Sequence, residues 1–173
     1  QGNEHDFLGM KLKIRKDKKI EVDMTTQIDK LIKDFETEND IVVSTNVMSP
    51  VTDNLFTVSD IEDELCKHKS EEFHSTMAKL LYLMKRARPD LETTVSFLMQ
   101  RISKSNIQDW KKLLWCLGWL KRTKNDVRLI GGTSLNQVYT WIDAAYAVHD
   151  NMRSHMGGAI SMGYGLIGAK SAM

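Results

Sequence analysis

At 173 residues the chain has room for one ordinary domain or for pieces of two, and its 42% hydrophobic and 27% charged residues are the balance of a soluble globular protein. A net charge of +1 excludes a whole-chain argument for a polyanion partner. The longest charge-free stretch, Met156 to Ala169, is glycine-rich and too short to span a bilayer, and no signal peptide is visible in the polar, charged N-terminus.

From the N-terminus, Phe7 to Arg15 alternate weakly, Lys16 to Lys19 break the pattern, and Ile20, Val22 and Met24 recur at period two. This spacing predicts a hairpin with one apolar face. Thr25 or Thr26 then caps a helix whose apolar residues Ile28, Leu31, Ile32 and Phe35 fall at helical spacing. From Glu36 to Lys69 the period dissolves into Ser, Thr, Asn and Asp around Pro50, which predicts a long, partly mobile surface connection with little to bury.

Order returns at Ser70, a candidate helix cap followed by Glu71 and Glu72, with Lys85, Arg86 and Arg88 at the far end. Phe73, Met77, Leu80, Leu81 and Met84 form its stripe. Pro89 suits the first turn of a second helix carrying Leu91, Val95, Leu98, Met99 and Ile102. Ser105 and Gln108 read as the capping box of a third, with Trp110, Leu113, Leu114, Leu117 and Leu120 inward. Three such helices joined by short turns predict a small bundle. Past Asn125 the period returns to two, predicting strands over Val127 to Ile130, Val138 to Tyr146, Gly158 to Met162 and Leu166 to Lys170, with Gly131, Gly132 and Asn151 at turns.

Charge is unevenly distributed. From Asp34 to Cys66 there are nine acids and no Lys or Arg, whereas from Lys79 to Arg128 there are twelve bases against four acids. A basic helical half beside an acidic loop is compatible with a phosphate-binding face and equally with a solvated charged surface. Arg86, Arg88 and Arg101 either meet phosphates or complement helix C-termini. Lys11, Lys13, Arg15 and Lys18 either touch a nucleic-acid backbone or are ordinary hairpin charges. Trp110, Trp115 and Trp119 fit helix packing better than a base-stacking platform. Cys66 and Cys116 stand in no metal-ligand spacing, and His149 and His155 lack a Cys or Glu at zinc spacing.

Four ordered segments carry a resemblance. They are Phe7-Leu8-Gly9-Met10 with the helix Ile28 to Phe35; Phe73-His74-Ser75 through Tyr82 to Lys85-Arg86-Ala87-Arg88-Pro89-Asp90; Ser103-Lys104-Ser105 through Gln108-Asp109-Trp110 to Thr123; and Thr140-Trp141-Ile142-Asp143-Ala144-Ala145, continuing to Arg153-Ser154-His155 and Gly157-Gly158. Together they resemble the copia-type retrotransposon polyprotein, from the end of the reverse transcriptase into the start of ribonuclease H. Met156 stands where that family has Thr, Ala145 where it has Ser, and Asp150-Asn151 where it has Pro-Asp.

The resemblance implies an α+β chain. Residues 1–36 would be the palm edge (hairpin and helix), 37–69 an acidic linker, 70–125 a three-helix thumb or connection, and 126–173 a truncated, mixed ribonuclease H-like sheet. It implies that Phe7, Leu8, Gly9, Met10, Arg86, Arg88 and Arg101 face an RNA–DNA hybrid or template-primer, and that Asp143 is a magnesium ligand of the parent enzyme. The paired aspartates of the polymerase would lie upstream of Phe7, and further ribonuclease H carboxylates beyond Met173. Both reactions need two divalent ions clamped by several carboxylates, so the expectation is an inactive remnant that binds no magnesium. Gln1 in place of Met suggests a fragment of a longer product. An intracellular setting follows, in a cytoplasmic particle or the nucleus, without a membrane partner. Strands lacking their covering helices predict self-association through the incomplete sheet. The reading from a different class is a host-recruited interaction module that binds no nucleic acid.

Overall fold

In the computed structural model, residues 2–58, 63–134, 136–149 and 152–172 are described. The chain opens with a meander, β1 (Glu4–Phe7), β2 (Met10–Ile14) and β3 (Ile20–Asp23), in place of a simple hairpin. Met10, Val22 and Met24 turn inward, whereas Ile20 at the strand start stays 39% exposed. The helix α1 (Thr25–Asn39) follows at once. Its opening amide is held by Asp23, whose Oδ1 accepts from Thr25 N at 2.8 Å, so Asp23, two positions upstream, takes the place of the expected threonine cap. Ile28, Leu31, Ile32 and Phe35 are buried, as their spacing predicts.

The helical half holds α2 (Lys67–Arg86), a 3-10 turn at Pro89–Leu91, α3 (Glu92–Gln100), a second 3-10 turn at Ile102–Lys104 and α4 (Ile107–Arg122). Two caps differ from expectation. α2 starts three residues before Ser70, and the capping box of α4 is Asn106 with Asp109 rather than Ser105 with Gln108. Asn106 and Asp109 have the same three-residue spacing and the better acceptors, so the box moved by one position.

The strands β4 (Arg128–Gly132), β5 (Tyr139–Ala145), β6 (His155–Ser161), β7 (Gly163–Tyr164) and β8 (Leu166–Ala172) complete the chain. One sheet runs β1-β2-β3-β4-β7 and the other β5-β6-β8. Every strand pair described is antiparallel, which corrects the mixed sheet. The N-terminal meander and the C-terminal strands are also joined, because Ile20 pairs with Ile130 and Val22 with Arg128. Gly131 and Gly132, expected at a turn, lie in β4 opposite Tyr164 and Gly163. The turn expected at Asn151 lies outside the described residues.

The segment after α1 overturns the expectation of a connection with little to bury. Val43, Val47 and Leu55 are at most 4% exposed. Its carbonyls are satisfied by α4: Lys112 Nζ donates to Thr57 O at 2.6 Å, Trp115 Nε1 to Ser49 O at 2.7 Å, and Arg122 Nη1 to Val47 O. Lys121 Nζ bonds Glu36 Oε1 at 2.6 Å, and that hydrogen bond holds the Glu36 carboxyl below its ordinary value. Lys112, Trp115, Gly118 and Arg122 recur at steps of three and four, so one stripe of α4 clasps an irregular strap.

Gly118 is where the strap comes closest. A Cβ there would stand 2.3 Å from Ser44 O, a backbone atom that cannot swing away. Gly118→Ala is therefore expected to destabilise by about 1–3 kcal/mol despite its better helix propensity. Urea unfolding measures the loss, and limited proteolysis should show new early cuts within residues 41–58. An unchanged or raised midpoint would mean that the strap is not seated on α4.

Candidate nucleic-acid interface

The residues assigned to nucleic acid by sequence separate into an exposed group and a buried one. Leu8 (φ 49°) and Gly9 (φ 75°) both adopt left-handed conformations, closed by the Phe7–Met10 pair. That is the two-residue turn matching the twist of a hairpin, and glycine takes the second position without penalty. Met10 is buried at 7% and anchors the tip, while Phe7 and Leu8 project into solvent at 55% and 61% exposure.

The tip is docked on α2. Tyr82 Oη donates to the carbonyl of Leu8, and Gln27 of α1 lies beside Gly9, where a Cβ would come within 3.1 Å of its Nε2. One turn along α2, the Arg86 guanidinium lies 5.6 Å from the Tyr82 ring centroid. Beside them runs a groove of about 440 Å³ between α1 and α2, lined by Gln27, Lys30, Leu31, Asp34, Lys79 and Tyr82 among others. Its floor is apolar and its rim carries two lysines and one carboxylate. Lys79 and Arg86 are seven residues apart on one helix, roughly 10 Å by helical rise, or about three nucleotides of a strand.

Arg88 and Arg101 are elsewhere. The Arg88 side chain is 3% exposed, with Nε and Nη2 on the Asp90 carboxylate at 3.0 and 2.7 Å and Thr123 O at 3.1 Å from Nη1. It is committed internally and is no phosphate contact in this fold. Burial works against the Asp90 charge, yet Arg88 and the Trp119 indole outweigh it and hold that carboxyl below its ordinary value. Arg101 bonds Asp109 Oδ2 and Lys104 O, both at 3.1 Å, and braces the capping box of α4. In the meander, Arg15 pairs with Glu21 and Lys13 with Glu4.

Asp143 lies on β5 opposite Gly157, exposed, its Oδ1 accepting from Ala144 N at 2.9 Å. Among the described residues no three His, Cys, Asp or Glu side chains come together to hold a metal. Magnesium demands near-octahedral oxygen coordination, and a two-ion centre demands several carboxylates. The residues assembled around Asp143 do not fit such a group. No helix is long and apolar enough to cross a membrane among the described residues.

Sequence reasoning missed Tyr82, Gln27, Lys30 and Lys79 as companions of the hairpin tip. The four-residue step from Tyr82 to Arg86 was visible; the contact between Tyr82 and Leu8, 74 positions apart, was not.

The chain is 25% identical over 182 aligned positions to the "Retrovirus-related Pol polyprotein from transposon TNT 1-94" of Nicotiana tabacum. The alignment covers 99% of this chain and 13% of that polyprotein, so the chain spans a small part of its relative's length. It is similar, end to end, to a stretch of a retrotransposon Pol polyprotein. No family model matches. No solved structure matches.

The two arginines near the end of α2 should respond oppositely to truncation. Arg88→Ala strips a buried charge pair and is expected to lose about 3 kcal/mol of stability. Arg86→Ala should stay within about 0.5 kcal/mol of the parent. Equal losses in urea unfolding would contradict the separation drawn here.

Proposed function

We propose that the chain corresponds to the end of a copia-type reverse transcriptase and the opening of its ribonuclease H domain. In this reading it retains a template-primer surface without either metal centre. The supporting observation is the hairpin tip Phe7-Leu8, fixed by Tyr82 beside Arg86 and the groove cations Lys30 and Lys79. Exposed apolar and aromatic groups next to spaced cations suit a nucleic-acid backbone with partly stacked sugars and bases. Among the described residues Asp143 gathers no further metal-ligating side chains, and two-ion synthesis and cleavage need several carboxylates. The parent's RNA-directed DNA synthesis and hybrid cleavage are accordingly absent in this proposal, and what remains is binding to an RNA–DNA hybrid.

Fluorescence anisotropy with a labelled hybrid, titrated at several salt concentrations, tests this. Three contacting cations predict a log–log slope of about −2 to −3, and Lys79→Ala or Arg86→Ala should each flatten it by about one. Absence of salt-dependent binding would favour the interaction-module reading instead.

A second expected property concerns copies of the chain. Ile142, Met156 and Ile160 share one face of β5-β6-β8, at 77%, 56% and 42% exposure, and the edge strand β5 carries no Lys, Arg or Pro to discourage pairing. We propose self-association through this sheet. Sedimentation velocity should show oligomers that Ile142→Lys reduces; an unchanged distribution would place the contact elsewhere.

A further inference from the structure

The groove beside the hairpin tip carries groups that phosphate binding alone does not call for. Over its apolar floor, α1 presents Gln27, Lys30 and Asp34, and α2 presents Lys79 and Tyr82. Asp34 is half-buried, and among the described residues neither its carboxylate nor the Gln27 side chain has a hydrogen bond or ion pair. A carboxylate set among cations repels phosphate and weakens the hold on any polyanion, unless the ligand also brings a donor for it to accept from.

The two helices run antiparallel along the groove. Gln27 and Tyr82 both reach the hairpin tip, while farther along, Glu38 of α1 lies against Glu72 of α2. Gln27 and Asp34 are seven residues apart, roughly 10 Å by helical rise, which is the same step as Lys79 to Arg86 on the facing helix. A row of acceptors therefore runs beside a row of cations. Glu38 and Glu72 together repel a polyanion and bound the groove at the end away from the tip.

A nucleic-acid strand matches this double row only if its backbone carries donors as well as phosphates. A deoxyribose backbone has acceptors alone. A ribose backbone adds one 2′-hydroxyl per nucleotide, displayed with the base edges in the wide, shallow minor groove. Along roughly 10 Å a strand advances by about three nucleotides, so hydroxyls of a single strand can meet both Gln27 and Asp34.

We propose that this groove holds the ribose strand of the hybrid, with Lys30, Lys79 and Arg86 on its phosphates and with Asp34 and Gln27 accepting from its 2′-hydroxyls. Asp34 is then the residue that separates RNA from DNA at this site. The inference rests on the nucleic-acid binding proposed above and adds which strand is read and by which atoms.

Anisotropy on the full chain with three duplexes of one sequence tests it: the RNA–DNA hybrid, the same hybrid built with 2′-fluoro ribose, and the all-DNA duplex. The fluoro sugar keeps the A-like shape and removes the donor, so it separates hydroxyl reading from shape reading. The hybrid should bind about tenfold tighter than either comparison duplex, the scale of a hydrogen bond to a charged acceptor. Asp34→Ala should weaken hybrid binding about fivefold and strengthen all-DNA binding about twofold, since the DNA duplex feels only the repulsion that is lost. A carboxylate acting through charge alone would raise both alike. Equal binding of the hybrid and either comparison duplex by the parent chain, or parallel gains in Asp34→Ala, would overturn the strand assignment and leave nucleic-acid binding standing. The parent-chain comparison needs no substitution, so it decides the matter even where the variant fails to fold. Absence of salt-dependent binding to all three duplexes would overturn both readings together.

Discussion

Arg88 is 2% exposed at the junction of α2 and α4, and a guanidinium removed from water has to be neutralised and hydrogen-bonded on the spot. Asp90 supplies the countercharge from the adjacent 3-10 turn, and Thr123 supplies its carbonyl and its hydroxyl from the end of α4. Trp119 adds a hydrogen bond to the same Asp90 carboxylate at 2.8 Å. The requirement to satisfy one charge therefore fixes the end of α2 against the end of α4. Lys124, the next residue, accepts from Thr25 Oγ1 and pairs with Asp29, which seats the start of α1. The chain then enters β4, where Arg128 donates to Lys85 O and Arg86 O at the end of α2 and to Leu166 O on β8. Arg88, just after α2, thus ties that helix end to α4, and Arg128 ties the same end to β8.

That grip bears on the candidate interface. Tyr82 and Arg86 lie in the last turns of α2, the part of the helix most constrained by these contacts. A hairpin tip that reaches Tyr82 is held to a platform rather than left on a swinging turn. Precision of this kind suits positioning a backbone, because phosphate contacts fix register only when the groups making them are themselves fixed.

Period and composition made the helices, their buried stripes and most strands legible. Ile28, Leu31, Ile32 and Phe35 illustrate why, since burial of an amphipathic face is a local property of spacing. The strap was misread because its order comes from α4. Lys112, Trp115 and Arg122 donate to carbonyls 55 to 75 positions away, and no local period records such bonds. The joining of the meander to β4 was hidden for the same reason, as the whole helical half lies between Ile20 and Ile130 in sequence. Of the assigned site residues, Phe7, Leu8, Gly9 and Arg86 come together, whereas Arg88 and Arg101 look the same in sequence and differ only in burial. His149 and His155 read as two isolated residues in the sequence, whereas the fold brings Nε2 of one within 3.0 Å of Nδ1 of the other.

The charge asymmetry is the feature most changed by the fold. An acidic stretch followed by a basic one suggests a free cationic face, yet much of that charge is consumed where the strap lies on α4. Lys121 meets Glu36, while Lys112 and Arg122 meet strap carbonyls. Arg88 and Arg101 are spent on Asp90 and Asp109. A cation bonded in this way is already desolvated and compensated, so moving it to a phosphate would leave its present acceptor unsatisfied. Beside the hairpin tip, Lys30, Lys79 and Arg86 on α1 and α2 stay exposed. Since electrostatic affinity scales with the number of phosphates neutralised, the three cations of the proposed surface would by themselves bind weakly. In the proposed function such weak contacts suit a duplex that is gripped at other points as well, because linked weak contacts gain by effective concentration what each lacks alone.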